Sequence, residues 1–178
     1  MITFHPDEEI VLVKRRHWLP IALQAVGFSV VATVPLVIIF AANISPAISK
    51  EVAPYEPLEL FIAAAWAFFT WISFFVSWTN YYLDIIAITN KRILDIEQVG
   101  LFTRNIAELR VEHVEDIKVE VLGFVASLLD FGNLYIQSAG ATKEVVLKHI
   151  PNPHAVREAI SKLQEEISRK HYQQGTEN

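Results

Sequence analysis

Two long apolar runs dominate the first half of the chain. Trp18 to Ala42 contains no charged residue, and Leu60 to Trp78 contains none either. A bilayer core of about 30 Å is crossed by about 20 helical residues, and both runs are near that length. A Lys, Arg or Asp at the centre of a membrane helix costs roughly 2.5–3.5 kcal/mol on insertion scales, so two charge-free runs are informative. Two helices apolar on every side would need more surrounding protein to bury them than a 178-residue chain has to spare. A cleavable signal peptide fits less well. The first run follows Lys14-Arg15-Arg16, but it is longer than the apolar region of a signal, and a second run follows almost at once. The pattern predicts a two-helix transmembrane hairpin over residues 18–78, with an external loop at 43–57.

Flanking charge sets the expected direction. Lys14, Arg15 and Arg16 abut the first run and Lys91 and Arg92 follow the second, whereas the loop from Asn43 to Pro57 has only Lys50 as a cation. By the positive-inside rule both termini are cytoplasmic, as in a multi-pass protein of the plasma membrane. Trp18, Trp78, Tyr81 and Tyr82 stand where interfacial aromatic anchors belong on that topology. Ala25, Ser29 and Thr33 recur every four residues, as do Ala63 with Ala67 and Ser73 with Ser77, a spacing that lets helix backbones approach closely. Neither run contains an acid, a base or a cation to mark an ion pathway, so a channel or proton-coupled transporter is poorly supported.

After Trp78 the pattern changes to short alternating segments. Leu83 to Ile88 reads as a strand ending at the turn signal Thr89-Asn90, Arg92 to Val99 as the next, and Phe102 to Leu109 as a third. Ile117, Val119 and Val121 alternate with Lys118 and Glu120, the pattern of a half-buried strand. Gly123 to Asp130 predicts a short helix or turn with Phe124, Leu128 and Phe131 facing inward; Leu134 to Gln137 and Glu144 to His149 are the last strands. Asn152 suits a helix N-cap and Pro153 a first helical position, ahead of an apolar stripe at Val156, Ala159, Ile160, Leu163 and Ile167. The polar end of the chain, 172–178, is expected to be disordered. The result is an α+β, mainly-β domain over 79–171, preceded by a cytoplasmic segment at 1–17: two antiparallel sheets or a partly open barrel, closed by a C-terminal helix.

Several of these segments, in order, resemble bacterial pleckstrin-homology (PH)-like membrane proteins, in which a membrane hairpin precedes a PH-like domain. They are Glu8-Glu9-Ile10-Val11-Leu12, Arg16-His17-Trp18, Ile88-Thr89-Asn90-Lys91-Arg92-Ile93, Gly100-Leu101-Phe102, Gly123-Phe124, Leu134 through Gly140, and Ile150-Pro151-Asn152-Pro153. The resemblance implies two near-orthogonal sheets with a helix capping one open end. Seven strands are then expected, and Glu9 to Val13 is the candidate for the one that alternation alone does not supply. In phosphoinositide-binding PH domains the turn of the first hairpin carries the basic residues that grip the headgroup. The resemblance aligns that turn with Lys91-Arg92, but Asp95 and Glu97 stand where further basic residues would follow.

Composition narrows the chemistry. The net charge is −5, and from Thr79 onward 11 Lys/Arg against 14 Asp/Glu leave −3, so no basic field recruits nucleic acid. The absence of cysteine excludes thiolate catalysis and Cys-based zinc sites. The six histidines lack metal-ligand spacing with a carboxylate, with His149 and His154 read as surface residues, and no nucleophile motif or phosphate-binding Gly loop is present, so neither an enzyme nor a cofactor is expected. Asp116, Lys118 and Glu120 read as a solvated strand face. Lys14, Arg15, Arg16, Lys91 and Arg92 are the candidate lipid headgroup contacts, at about 1 kcal/mol per charge beside an anionic leaflet. The expected function is a membrane-anchored, non-catalytic binding or scaffolding module that engages the bilayer and protein partners or its own copies. An accessory subunit of a transport system and an anionic-lipid-recognising domain are the alternatives.

Overall fold

The computed structural model describes residues 7–44, 46–138 and 144–176. The first six residues, Ala139 and Gly140 of the PH-like signature, and the last two residues of the polar tail lie outside the described residues. The chain forms two units: one comprises the residues up to His17 together with those from Asn80 onward, the other Trp18–Thr79.

In the helical unit, α1 spans Leu19–Ile44 and α3 begins at Glu56, running to Leu83. Both are long and apolar enough to cross a membrane. At 26 and 28 residues they are about 39 and 42 Å long. Their large side chains point outward, and Ile21 and Ala63 are the buried residues among those described. The segment expected to be an external loop is itself helical: α2 covers Pro46–Val52 and a 3-10 turn covers Ala53–Tyr55. Its prolines explain the difference. Pro46, Pro54 and Pro57 each stand in a first helical turn, where the missing N–H has no intrahelical acceptor to lose.

Pro35 lies inside α1. Having no N–H, it leaves the carbonyl of Val31 without its helical donor. The indole Nε1 of Trp66 on α3 donates to that oxygen at 2.9 Å. Ser29 and Ser73 bond back to the carbonyls of Ala25 and Phe69 in their own helices, at 2.8 and 2.9 Å. Ala25 and Ser29 line a groove with Ala67 and Thr70 of α3, walled by Phe28 and Phe74 in an edge-on contact at 5.8 Å.

Among the described residues, the other unit holds seven strands in two antiparallel sheets. β1 (Ile10–Arg15), β2 (Ile85–Thr89), β3 (Arg92–Val99) and β4 (Thr103–Arg110) form the first, in that order, and β5 (Val114–Glu120), β6 (Phe131–Ser138) and β7 (Val145–Pro151) form the second. The sheets do not join into a closed barrel. Helix α5 (Pro153–Thr176) packs its apolar stripe over the space between them, so that Val156, Ile160 and Leu163 meet Ile86, Ile88, Ile93, Leu134, Ile136, Leu147 and Ile150. Its start follows from local chemistry: the Asn152 side chain caps the Ala155 N–H at 3.0 Å, and Pro153 is the first helical residue. It continues to Thr176, through the tail expected to be disordered, because Gln173 and Gln174 are good helix formers and no proline intervenes.

The strand expected at Glu9 to Val13 is present as β1: it pairs with β2 from Ile10 opposite Thr89 to Arg15 opposite Ile85, so the helices are inserted within the connection between the first two strands. One further difference matters below. The short helix α4 (Phe124–Leu128) turns Ala126 inward, leaving Phe124 and Leu128 exposed. Those two share one face at i and i+4, and it is the opposite face that packs.

The Pro35–Trp66 arrangement predicts a coupled pair. Trp66→Phe should lower resistance to dodecyl sulfate unfolding, and Pro35→Ala, which restores the Val31 helical bond, should abolish that penalty. The coupling expected from a double-mutant cycle is about 0.6–1.7 kcal/mol. Equal penalties in both backgrounds would show that the interhelical bond contributes nothing.

Candidate functional site

Strand β2 separates two polar clusters, one at each of its ends. At its C-terminal end Thr89 is fully buried, and its hydroxyl oxygen accepts from the Arg92 N–H at 3.0 Å, closing the β2–β3 turn. Arg92 makes a two-pronged contact with Glu8, Nε to Oε1 at 2.7 Å and the second guanidinium nitrogen to Oε2 at 2.8 Å. Its remaining nitrogen donates to Glu108 at 2.9 Å. The Glu8 side chain is wholly buried. These carboxylates hold the guanidinium above its ordinary range. Asn90 completes the brace: its N–H donates to the Glu9 carbonyl at 3.0 Å and its side chain accepts from the Glu9 N–H at 3.1 Å. The Thr89-Asn90-Lys91-Arg92 signature therefore clamps the segment that leads into β1. An open hollow of about 350 Å³ beside it is lined by Lys91, Arg92, Glu108, Arg110 and Glu112.

The other end of β2 is the root, where the chain leaves for the helices and returns. Arg16 reaches Asp84 at 3.2 Å and Glu97 at 2.9 Å. Asp84 is buried and accepts the Gln98 N–H at 2.7 Å. Burial pushes its carboxyl up, while the Gln98 N–H and Arg16 pull it down and Glu97 adds to the rise. Asp95 is also raised, chiefly by burial, with Arg16 opposing and Glu97 and Asp84 reinforcing. One guanidinium thus pairs with two carboxylates and lies close enough to a third, Asp95, to oppose its rise. His17 lies beside it, buried, with its ring stacked on Phe131 at 4.5 Å and its N–H donating to the His149 carbonyl at 2.7 Å. Burial lowers both imidazoles, and Arg16, Lys148 and His17 add to the effect on His149. His149 is half-buried, with φ at 53°, and only His154 has the exposed position expected of both. The Tyr81 hydroxyl donates to the Arg16 carbonyl at 3.1 Å, and the Arg15 guanidinium lies 4.5 Å over the Tyr82 ring.

The five basic residues singled out in the sequence are not brought together. Lys14, Arg15 and Arg16 are at the root. Lys91 and Arg92 are at the far end of the five-residue strand β2, about 17 Å away at 3.3 Å per residue. Arg16 and Arg92 are each shared between two carboxylates, whereas Arg15 is exposed and Lys14 half-buried. The turn at Lys91-Arg92 joins the second and third strands. It is the first hairpin turn of the chain, as expected, because the connection between β1 and β2 is occupied by the helices. Of the acidic partners of Arg16 and Arg92, Glu8 stands out in the sequence only as part of the segment Glu8-Glu9-Ile10-Val11-Leu12, and Glu108 carries no signal there. Asp84 left a trace there, as a single charge between Tyr81-Tyr82-Leu83 and Ile85-Ile86. Among the described residues, no three His, Asp or Glu side chains are grouped to hold a metal ion. On the outer face of the second sheet, Lys118 pairs with Glu120 at 3.5 Å, and Glu120 accepts the Tyr135 hydroxyl across the strands at 2.8 Å.

A family model described as the bacterial PH domain matches residues 21–164. Among solved structures, the chain is similar to a protein with a pleckstrin-homology domain from Shewanella loihica, at 16% identity over 46% of this chain and 70% of that one, with a TM-score of 0.38. It is also similar to a pleckstrin homology domain from Shewanella amazonensis, at 15% identity over 46% of this chain and 66% of that one, with the same score of 0.38. No curated protein matches it in sequence.

The two lowered imidazoles fix a pH dependence. A histidine whose folded pKa is depressed contributes stability that is complete above its unfolded value, about 6.5, and is lost as the pH falls below it. Asp84 and Asp95, being raised, act with the opposite sign: their penalty is relieved as the pH falls toward the carboxylate range. The melting temperature of the full chain in mild detergent should therefore drop on acidification through the imidazole range. His17→Phe, which keeps a ring on Phe131, should shrink that drop, and an unchanged profile would show that His17 does not titrate on unfolding.

Proposed function

The chain belongs to the bacterial PH domain family, and on that premise we propose that it is a membrane-anchored, non-catalytic binding and scaffolding module. The observation that carries this reading is the insertion of the helices between paired strands. With Arg15 opposite Ile85, the chain leaves the domain and returns to it at neighbouring points, so the hairpin is held at two roots. A domain held that way cannot diffuse off the surface, and its local concentration for other membrane proteins rises accordingly. The domain lies on the cytoplasmic face, with both termini inside, as Lys14, Arg15 and Arg16 on one flank and the cation-poor connection around Lys50 argue.

Protein partners or further copies of the chain are the ligands this reading favours. Among the described residues β4 pairs with β3 alone, and seven of its eight positions are exposed. An eight-residue edge of this kind accepts an added strand, with main-chain hydrogen bonds giving affinity. Headgroup contact falls to Lys14 and Arg15 at the root, where basic side chains beside an anionic leaflet are worth about 1 kcal/mol each.

The absence of native cysteine makes the topology directly testable. In intact cells, Lys50→Cys should react with a membrane-impermeant maleimide, and Lys170→Cys only after permeabilisation; the reverse order would overturn the orientation. A photo-crosslinking side chain at Asn105 on β4 should give discrete higher-mass species in the native membrane. Recovery of the uncrosslinked chain alone would remove the scaffolding reading.

A further inference from the structure

The root of the hairpin is flanked by two uncharged, outward-pointing apolar tips. The first is the β3–β4 turn. Gly100, at φ 74°, opens it, and the Asn80 side chain holds it by donating to the Gly100 carbonyl at 2.8 Å and accepting from the Gly100 N–H at 3.3 Å. Two residues earlier, the Gln98 N–H donates to Asp84, so this turn adjoins the point where the chain re-enters the domain. Beyond Gly100, Phe102 is 97% exposed and Leu101 52%.

The second tip is α4 with the residue pair before it. It adjoins the point where the chain leaves: His17 stacks on Phe131, and Leu128 is three residues from Phe131, a reach of about 11 Å at most. Phe124 is 81% exposed, Leu128 70% and Leu122 69%. No charged residue occurs from Val121 to Leu129 or from Val99 to Thr103. At the far end of β2 the open hollow is lined entirely by charged residues and offers no such apolar tip.

We propose that these two tips, Leu101-Phe102 and Leu122-Phe124-Leu128, dip into the interface of the membrane that holds the hairpin and fix how the domain stands on it. The inference rests on the anchored reading above. Exposed aromatic and aliphatic side chains on charge-free segments are the chemistry of an interfacial segment, seated about 5–10 Å into the boundary between headgroups and acyl chains. Lipid is the occupant because both tips adjoin the residues from which the apolar helices start. A protein partner at this place would have to share it with the headgroups. Arg15, stacked on Tyr82 at the same root, supplies a cation at headgroup level.

The test uses the full chain in vesicles of phosphatidylethanolamine and phosphatidylglycerol. Single cysteines at Phe102→Cys, Phe124→Cys, Glu166→Cys on α5 and Val30→Cys in α1 each carry an environment-sensitive fluorophore. Quenching by brominated acyl chains is compared with quenching by aqueous iodide. Labels at 102 and 124 should be blue-shifted and quenched several-fold more strongly by brominated lipid than the label at 166, with the label at 30 quenched most. If the label at 30 is lipid-quenched while those at 102 and 124 answer only to iodide, the tips stand in water; the proposal falls and the anchor survives. Tips shielded from both quenchers would be covered by protein, which also overturns it. A label at 30 that no brominated lipid reaches removes the anchored reading itself.

Discussion

The pairing of β1 with β2 is the constraint on which the rest depends. In an antiparallel pair, residues opposite one another lie about 5 Å apart at their Cα atoms, and here Arg15 and Ile85 are opposite. Everything between them must leave and return through that narrow gap. Two helices of nearly equal length, joined by a helical connection, satisfy the requirement at low cost, since each helix is locally ordered by its own hydrogen bonds. Loop-closure entropy grows only slowly with the length enclosed, so a long insertion is tolerated where its ends are well fastened.

The polar clusters are the fastenings. At one end of β2, Arg92 holds Glu8 with two parallel hydrogen bonds, and Asn90 ties Glu9 to the turn, so β1 begins in register. At the other end, Arg16 holds Asp84 and Glu97, and Tyr81 takes the Arg16 carbonyl. Charge-assisted, partly buried bonds of this kind lose much when one partner is removed, because the other is left charged away from water. The positive residues that set the expected topology and those that fasten the strand are thus partly the same residues, Arg16 above all.

Much of this was legible in sequence, for identifiable reasons. The apolar helices announced themselves by absence of charge, and β5 by the alternation of Ile117 and Val119 with Lys118 and Glu120. The helical connection was missed because Pro46, Pro54 and Pro57 read as loop residues unless their place in a first turn is known. The outward face of α4 was missed because an apolar pair at i and i+4 identifies a face without saying which side of it is packed. The ion pairs that fasten β1 were hidden because their partners are far apart in sequence, 81 residues for Arg16 and Glu97 and 84 for Arg92 and Glu8. Local pattern carries no information at that range; it emerges only when β1 is set beside β2.

The insertion also dictates an order of assembly. During synthesis β1 is made before the helices and its partner strand after them, so the sheet cannot close until both helices exist. For the same reason the domain is not a contiguous stretch of sequence: a single cut in the hairpin would leave β1 attached only by its ladder and its braces. A stand-alone domain would instead require a short turn joining Arg15 directly to Ile85, replacing the whole hairpin by the two-residue connection that antiparallel neighbours ordinarily use.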